Sequence, residues 1–188
     1  MSIKRLFDLV IGIILLSLLL IPMFLIALLV FLTSKGPVLH WSNRIGVDNK
    51  NFKMPKFRSM VNDVPNVATH LMHDSEKFLT PVGGFLRRFS LDEFPQLFSI
   101  IKGDMSFVGP RPALFNQDDL IALRNENGLD GLTPGLTGWA QINGRDEISI
   151  AEKVGLEVEY LRKKSFRFDL HILLLTVLRV IKKDGVSH

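Results

Sequence analysis

Cysteine is absent from the 188 residues. That absence excludes disulfides, thiolate metal sites and catalytic thiols together, and it suits a reducing compartment. No P-loop, G-x-G-x-x-G or G-x-S-x-G motif occurs, so the common NTPase, dinucleotide-binding and hydrolase chemistries have no support. Internal repeats and low-complexity tracts are also missing. Only one long apolar run is present, which argues against a polytopic transporter. Outside that run the apolar content is ordinary for a globular domain, which argues against a disordered chain. Acidic residues are the minority: 19 Asp and Glu stand against 23 Lys and Arg, a formal charge of +4. A basic excess beside an apolar segment suits anionic lipid, phosphorylated substrates or nucleic acid, and charge alone does not choose among them.

From Leu9 to Leu32, 21 of 24 residues are apolar, the exceptions being Gly12, Ser17 and Pro22. The run is longer than the apolar part of a signal peptide and no A-x-A-like cleavage site follows, so it reads as retained. As one helix it reaches about 36 Å, enough for the roughly 30 Å hydrocarbon core. Pro22 divides it into halves of about 20 and 15 Å, neither of which spans alone. Proline also removes a helix hydrogen bond, which predicts a bend near Leu18 to Pro22. Lys4 and Arg5 precede the run and Lys35 and Arg44 follow it, so the positive-inside rule accepts both ends in the cytoplasm. A plain span and a bent helix that enters and leaves one leaflet both stay open on these grounds.

In the rest of the chain, Val38 to Gly46 and Phe52 to Met60 read as extended around a turn at Asn49-Lys50-Asn51. A loop from Asn62 to Thr69, a short helix from His70 to Phe78 and a break from Thr80 to Gly84 follow. Phe85 to Phe89 leads into a helix over Asp92 to Ile101, ended by Lys102-Gly103. Gln117 to Asn127 reads as a helix closed by Gly128. Trp139 to Ile142 reads as a strand before an Asn143-Gly144 turn, and Ile148 to Lys164 as a long helix. Phe166 to Ile181 holds Arg167, Asp169, His171 and Arg179, too many charges for a span; it suits either an interfacial amphipathic helix or a core helix.

The sharpest local motif is Ser90-Leu91-Asp92-Glu93-Phe94-Pro95-Gln96. Ser90 and Glu93 have the spacing of a capping box, although Pro95 would then fall beyond the first turn. Either way Asp92 and Glu93 stand at a predicted helix start. There the dipole favours an ionised carboxylate and free amides can hold phosphate, so Asp92 is also a candidate nucleophile. Cations are abundant nearby in sequence: Lys53, Lys56, Arg58, Arg87, Arg88, Lys102, Arg111 and Arg145. Arg111 stands out because Gly109-Pro110-Arg111-Pro112 stiffens the backbone on both sides, which suits bidentate phosphate binding as well as a simple exposed turn. Pro134 to Trp139 is a loop able to approach a ligand or merely to reverse the chain. His70 and His73 beside Asp74 have helical spacing for a metal, but no third ligand accompanies them, and a surface helix is the better reading.

Together these segments resemble the small monotopic phosphoglycosyl transferases of the bacterial sugar transferase family. The resemblance runs through Lys56-Phe57-Arg58-Ser59-Met60, Ser90 to Leu97, Lys102 to Pro112 and Pro134 to Arg145, in order and spacing along nearly the whole chain. It implies an α+β, mainly helical fold. Residues 1–32 would form a re-entrant membrane helix broken at proline, and residues 33–188 a compact cytoplasmic catalytic domain with interfacial amphipathic helices. It also implies transfer of a phosphosugar from a UDP-sugar to polyprenol phosphate at the bacterial inner membrane, with release of UMP. By position, Asp92 would be the nucleophile and Glu93 its partner. Magnesium would contact Asp92, and Lys56, Arg58, Arg87, Arg111, Gln141 and Arg145 would bind substrate. The implied partners are the donor, the lipid acceptor and membrane lipids, with no nucleic acid and a homodimer left open. Two departures stand out: Ile21 where relatives often have Ser before the proline, and Phe94 where Leu commonly follows the acidic pair. The resemblance also implies that longer relatives carry extra membrane helices and a domain ahead of the catalytic part, which are not expected within these 188 residues. The rival reading is a non-catalytic, membrane-anchored basic protein that holds anionic lipid or nucleic acid.

Overall fold

The computed structural model describes residues 1–61, 75–144 and 148–182. The apolar run forms α1 (Ile3–Thr33), which continues through Pro22 without a break in its helical assignment. Ser2 starts it, accepting a hydrogen bond from the Arg5 amide at 3.2 Å, as an N-cap serine does. Among the described residues, α1 alone is long and apolar enough to cross a membrane. Its inward side is narrow, with Asp8, Gly12, Met23 and Val30 buried, while Ile14, Leu18, Ile21, Phe24 and Phe31 stand exposed. A continuous apolar face of this kind needs a membrane or a partner to cover it.

Both ends of α1 are fastened to the rest of the protein. Near its start, Lys4 Nζ donates to the Val108 carbonyl at 2.8 Å and to Asp169 Oδ2 at 2.7 Å. Asp169 in turn accepts from the Tyr160 hydroxyl at 2.7 Å. Burial, followed by that bond and the Asp169 charge, pushes the Tyr160 phenol far above its usual range, so Tyr160 stays protonated, donating to Asp169 and accepting from Lys4 Nζ at 3.3 Å. Arg5 donates to the carbonyls of Ile100 and Ile101 at 2.5 and 2.6 Å, groups that the end of a helix otherwise leaves without a partner. Buried Asp8 accepts from the Phe107 amide at 3.2 Å. At the far end, Arg58 donates to Ser34, while Met23 and Val30 pack with Phe57 and Leu86.

After α1, β1 (Leu39–Ile45) and β2 (Asn51–Phe57) pair antiparallel, with Leu39 opposite Phe57 and Ile45 opposite Asn51. Asp48 and Asn49 turn the chain in the left-handed region at φ 53° and 57°, where Asp and Asn fit better than most side chains. The remaining elements are α2 (Gly83–Arg88), α3 (Gln96–Lys102), β3 (Ser106–Val108), α4 (Asp118–Glu126), β4 (Gly135–Thr137), α5 (Trp139–Asn143), α6 (Ile150–Lys163) and α7 (Phe166–Lys182). The fold is thus a mostly helical α+β arrangement. Strands β3 and β4 pair in parallel. The core joins Leu97 and Ile100 of α3, Phe107 and Val108 of β3, Leu120 of α4, Val154 of α6 and Ile172 of α7.

Three expectations change. Trp139 to Ile142 is helical, not a strand: β4 ends before Gly138, and packing on α6 and α7 overrides the β-propensity of Trp and Ile. The helix expected from Asp92 to Ile101 is split, because Pro95 has no amide to donate and instead precedes α3. A single 3-10 turn, Leu91–Glu93, carries the acidic pair. Ser90 lies at φ 54° and makes no capping bond, so the capping box is not formed there. One forms at Ser149 and Glu152, ahead of α6. On one face of α7 Phe168, Ile172 and Leu175 pack into the core, as a core helix would, while Leu170, Leu174, Val177 and Leu178 form an exposed apolar stripe. The Asn62 to Thr69 loop, most of the His70 to Phe78 helix and the His70, His73 and Asp74 group lie outside the described residues, which resume in a 3-10 turn at Ser75–Phe78.

Candidate active site

Glu93 is the hub. Its Oε1 accepts from Lys56 Nζ at 2.7 Å and from Arg111 Nη2 at 3.1 Å. Lys56 arrives from β2, Glu93 from the 3-10 turn that packs on β2, and Arg111 from the loop after β3. Burial alone would raise the Glu93 carboxyl, but the two cations and their hydrogen bonds outweigh it and hold the group far below the ordinary carboxylate range. Glu93 is therefore a fixed anion and a poor proton shuttle.

Asp92, its neighbour, is buried at 6 % exposure. Burial is the largest influence on it and Glu93 adds to the rise; Lys56, Arg87 and Arg111 oppose them, and the net shift is upward. The sequence placed Asp92 at the start of a long helix, whose dipole would favour the anion. A three-residue turn supplies no such dipole, and desolvation moves the group the other way. Two adjacent carboxyls driven apart in this manner take different roles. Glu93 gathers cations, while Asp92 receives no hydrogen bond from the described side chains and so keeps its oxygens for a ligand.

Arg111 is held by its backbone. The Gly109 amide donates to Thr137 O at 2.9 Å and the Gly135 amide to Pro110 O at 2.8 Å. These loops approach so closely that a Cβ on Gly109 would lie 2.2 Å from Thr133 O, and one on Gly135 2.1 Å from the Gly109 nitrogen. Arg124 Nη2 donates to the Arg111 carbonyl at 3.0 Å, and Arg44 Nη1 to the Pro112 carbonyl at 3.1 Å. Arg124 is itself fixed by a 2.5 Å ion pair with Glu157, which is 2 % exposed. Removing one member of such a pair costs about 3–5 kcal/mol, since the other charge is left buried alone. Arg124 and Glu157 carry no local signal in the sequence, because 33 residues separate them.

The structure thus brings together Asp92, Glu93, Lys56, Arg111 and, by its charge on Asp92, Arg87. Gln141 lies on α5, just past the loop that stitches to Gly109, and neither polar atom of its buried amide has a partner among the described residues. Arg58 is not in the cluster; its bonds run to Ser34 at the end of α1. Arg145 lies outside the described residues.

For magnesium the donor set is small. No group of three or more His, Asp or Glu side chains gathers among the described residues. A carboxylate that takes no hydrogen bond from the described side chains still fits an ion that draws its remaining ligands from phosphates and water, the usual arrangement for Mg²⁺ beside a nucleotide.

The described residues thus combine cations converging on an acidic pair with a long helix whose apolar face is exposed. The chain belongs to the bacterial sugar transferase family, whose sequence profile matches residues 1–183. It is 40% identical over 187 residues to the uncharacterized sugar transferase EpsL of Bacillus subtilis (strain 168), covering 100% of this chain and 91% of that protein. It is 41% identical over 184 residues to a UDP-glucose:undecaprenyl-phosphate glucose-1-phosphate transferase of Escherichia coli (strain K12), and 38% identical over 193 to an undecaprenyl-phosphate glucose phosphotransferase of Komagataeibacter xylinus. Those matches take in 94% and 95% of this chain but only 39% and 36% of the longer relatives. The chain is accordingly a sugar transferase, and the non-catalytic binding protein is not favoured.

Proposed function

We propose that this protein transfers a sugar phosphate from a UDP-sugar to undecaprenyl phosphate and releases UMP. The observation that carries the reading is the division of labour between Asp92 and Glu93, on a chain similar along its length to transferases of that name. Lys56 and Arg111, gathered by Glu93, meet the donor diphosphate together with Arg87. Gln141 offers its unpartnered amide to the nucleotide or sugar, and Arg145 belongs to the same set by its motif. Magnesium, held at Asp92, would neutralise phosphate charge that otherwise repels an anionic nucleophile. An Asp92 oxygen attacks the sugar-linked phosphorus, the bond to the UMP oxygen breaks, and UMP leaves with the electron pair. An oxygen of the lipid phosphate then attacks the same phosphorus, and Asp92 regains its carboxylate. A panel of UDP-sugars assayed for UMP release in the presence of undecaprenyl phosphate tests the reaction; silence across the panel in magnesium would refute it.

The fastening of α1 supports one membrane arrangement over the other. Lys4, Arg5 and Asp8 near one end and Ser34 at the other all bond to the same body. A helix that crossed the bilayer would carry one end away from that body. We therefore favour re-entry, with Pro22 inside one leaflet, the exposed stripe of α7 in the interface and the catalytic body on the cytoplasmic side. Single cysteines introduced at Ser2 and Asp48, on a chain that has none of its own, are expected to label from the same side. Opposite sides would establish a plain span.

Acid dependence gives a further prediction. Because the Asp92 carboxyl is raised above its ordinary 3.8, the anion needed for attack is lost at a higher pH than for an ordinary aspartate. Lys56 is the strongest influence opposing that rise. Lys56→Gln should therefore move the acid limb of the kcat/KM profile for UMP release to still higher pH, at equal magnesium. An unmoved limb, or one displaced downward, would remove Asp92 from control of that limb.

A further inference from the structure

The backbone around Arg111 is gripped by its carbonyls. Pro110 and Pro112 have no amide to donate, so these two positions can enter a hydrogen-bond ladder only as acceptors. Pro110 O accepts from the Gly135 amide at 2.8 Å, Arg111 O from Arg124 Nη2 at 3.0 Å, Pro112 O from Arg44 Nη1 at 3.1 Å and Ala113 O from the Ile45 amide at 3.0 Å. Four successive carbonyls thus take donors from β4, α4 and β1.

Arg124 brings its own counter-charge to this arrangement. Its Nε donates to Glu157 Oε2 at 2.8 Å and its Nη2 to Oε1 at 2.5 Å, the side-on fork of a guanidinium on a carboxylate. The second hydrogen of Nη2 is the one that reaches Arg111 O. Arg124 stands in the last turn of α4 and buried Glu157 on α6. Compared with apolar side chains of similar size, a buried ion pair adds little or nothing to stability, so joining α4 to α6 does not by itself account for this one. What a Met–Leu pair in the same space lacks is a donor for the Arg111 carbonyl.

We propose that Arg124 and Glu157 are a positioning pair for the donor phosphates: Glu157 orients the Arg124 guanidinium, Arg124 fixes the Arg111 peptide plane, and Arg111 thereby meets phosphate from a set position. The substrate in this statement rests on the proposed transfer reaction. Both residues act through Arg111 rather than on the substrate. The Arg111 side chain is 41 % exposed, so packing does little to place it and the backbone must, and a displacement of about 1 Å in such a group can cost on the order of 100-fold in rate.

Two variants test the pair. Arg124→Lys keeps a charge against Glu157 with one nitrogen where the guanidinium uses two. Arg124→Met combined with Glu157→Leu removes both charges together, so neither is left buried alone, and removes the donor to Arg111. Circular dichroism melts check both folds, and the double variant is expected to melt near the wild-type temperature. In the ligand-free protein, hydrogen exchange at the amides of Arg111, Ala113 and Leu114 is expected to quicken by about tenfold in both variants, a readout that needs no substrate. For UMP release from a UDP-sugar with magnesium, kcat/KM is expected to fall about tenfold or more, the loss for a charge-assisted hydrogen bond. The same substitutions placed on Arg111→Gln should add little further loss, since Arg111 is what they position. Losses that multiply instead would assign the pair to general packing and overturn the proposal. Unaltered exchange, unaltered kcat/KM in an active enzyme, or failure of both variants to fold would overturn it too. A wild-type protein silent toward every UDP-sugar, with exchange quickened in the variants, would count against the transfer reaction and for the fastening of Arg111.

Discussion

Asp92→Asn is expected to lower UMP release by a factor on the order of 10⁴ or more, with no loss of thermal stability near neutral pH. The two halves of this expectation have separate causes. Activity falls because an amide of nearly the same shape has no anionic oxygen to attack phosphorus. Stability is kept because burial makes the ionised form of Asp92 unfavourable; a group whose folded-state carboxyl is raised is, when ionised, a burden on the fold, and a neutral isostere removes it. Glu93→Gln should behave differently. Its carboxyl is held low by Lys56 and Arg111, so the anion contributes stability that is present above the unfolded-state value and lost as pH falls through the lowered one. Replacing it leaves two cations facing each other without their counter-charge, and both activity and melting temperature should drop. Circular dichroism melts beside the UMP assay separate the pair. A stable Asp92→Asn protein that turns over near the wild-type rate would remove Asp92 from the chemistry.

How much of this was legible in the sequence depends on how far apart the interacting residues lie. Asp92 and Glu93 are adjacent, and the Pro-Arg-Pro frame of Arg111 is local, so these could be read directly. That Lys56 and Arg111 share one oxygen of Glu93 could not, because the contacts close loops of 37 and 18 residues. Lys4 and Arg5 read as charges that orient a membrane segment; in the fold they are hydrogen-bonded to carbonyls and to Asp169. The serine–glutamate spacing at Ser90 matches a capping box, yet that serine is left-handed while the same spacing at Ser149 forms one. Pro95 is the physical difference, since it delays the helix past the point where Ser90 could cap it. The role of Arg58 was hidden for the converse reason: Lys56 and Arg58 are two positions apart and look equivalent, but one turns to Glu93 and the other to the end of α1.

Incubating the wild-type chain with a UDP-sugar and magnesium, without lipid acceptor, is expected to add the mass of one phosphosugar to the intact protein and to release an equal amount of UMP. Asp92→Asn should show neither. The alternative for the same residues is direct transfer, in which the acidic pair positions or deprotonates the lipid phosphate and both substrates must be bound together. Three features favour the covalent course. A lipid phosphate is already anionic near neutral pH and gains little from a general base. Glu93, pinned by two cations, is a poor base in any case. Asp92 is raised by burial and receives no hydrogen bond from the described side chains, so its anion is more basic and less solvated than an ordinary carboxylate, as suits a nucleophile. The geometry also explains why such an adduct could wait for its second substrate: at 6 % exposure the aspartate is largely screened from water, which would otherwise hydrolyse an acyl phosphate. Initial-velocity lines that run parallel accompany the adduct in this scheme. Intersecting lines with no added mass would instead establish direct transfer, with Asp92 reduced to a positioning role.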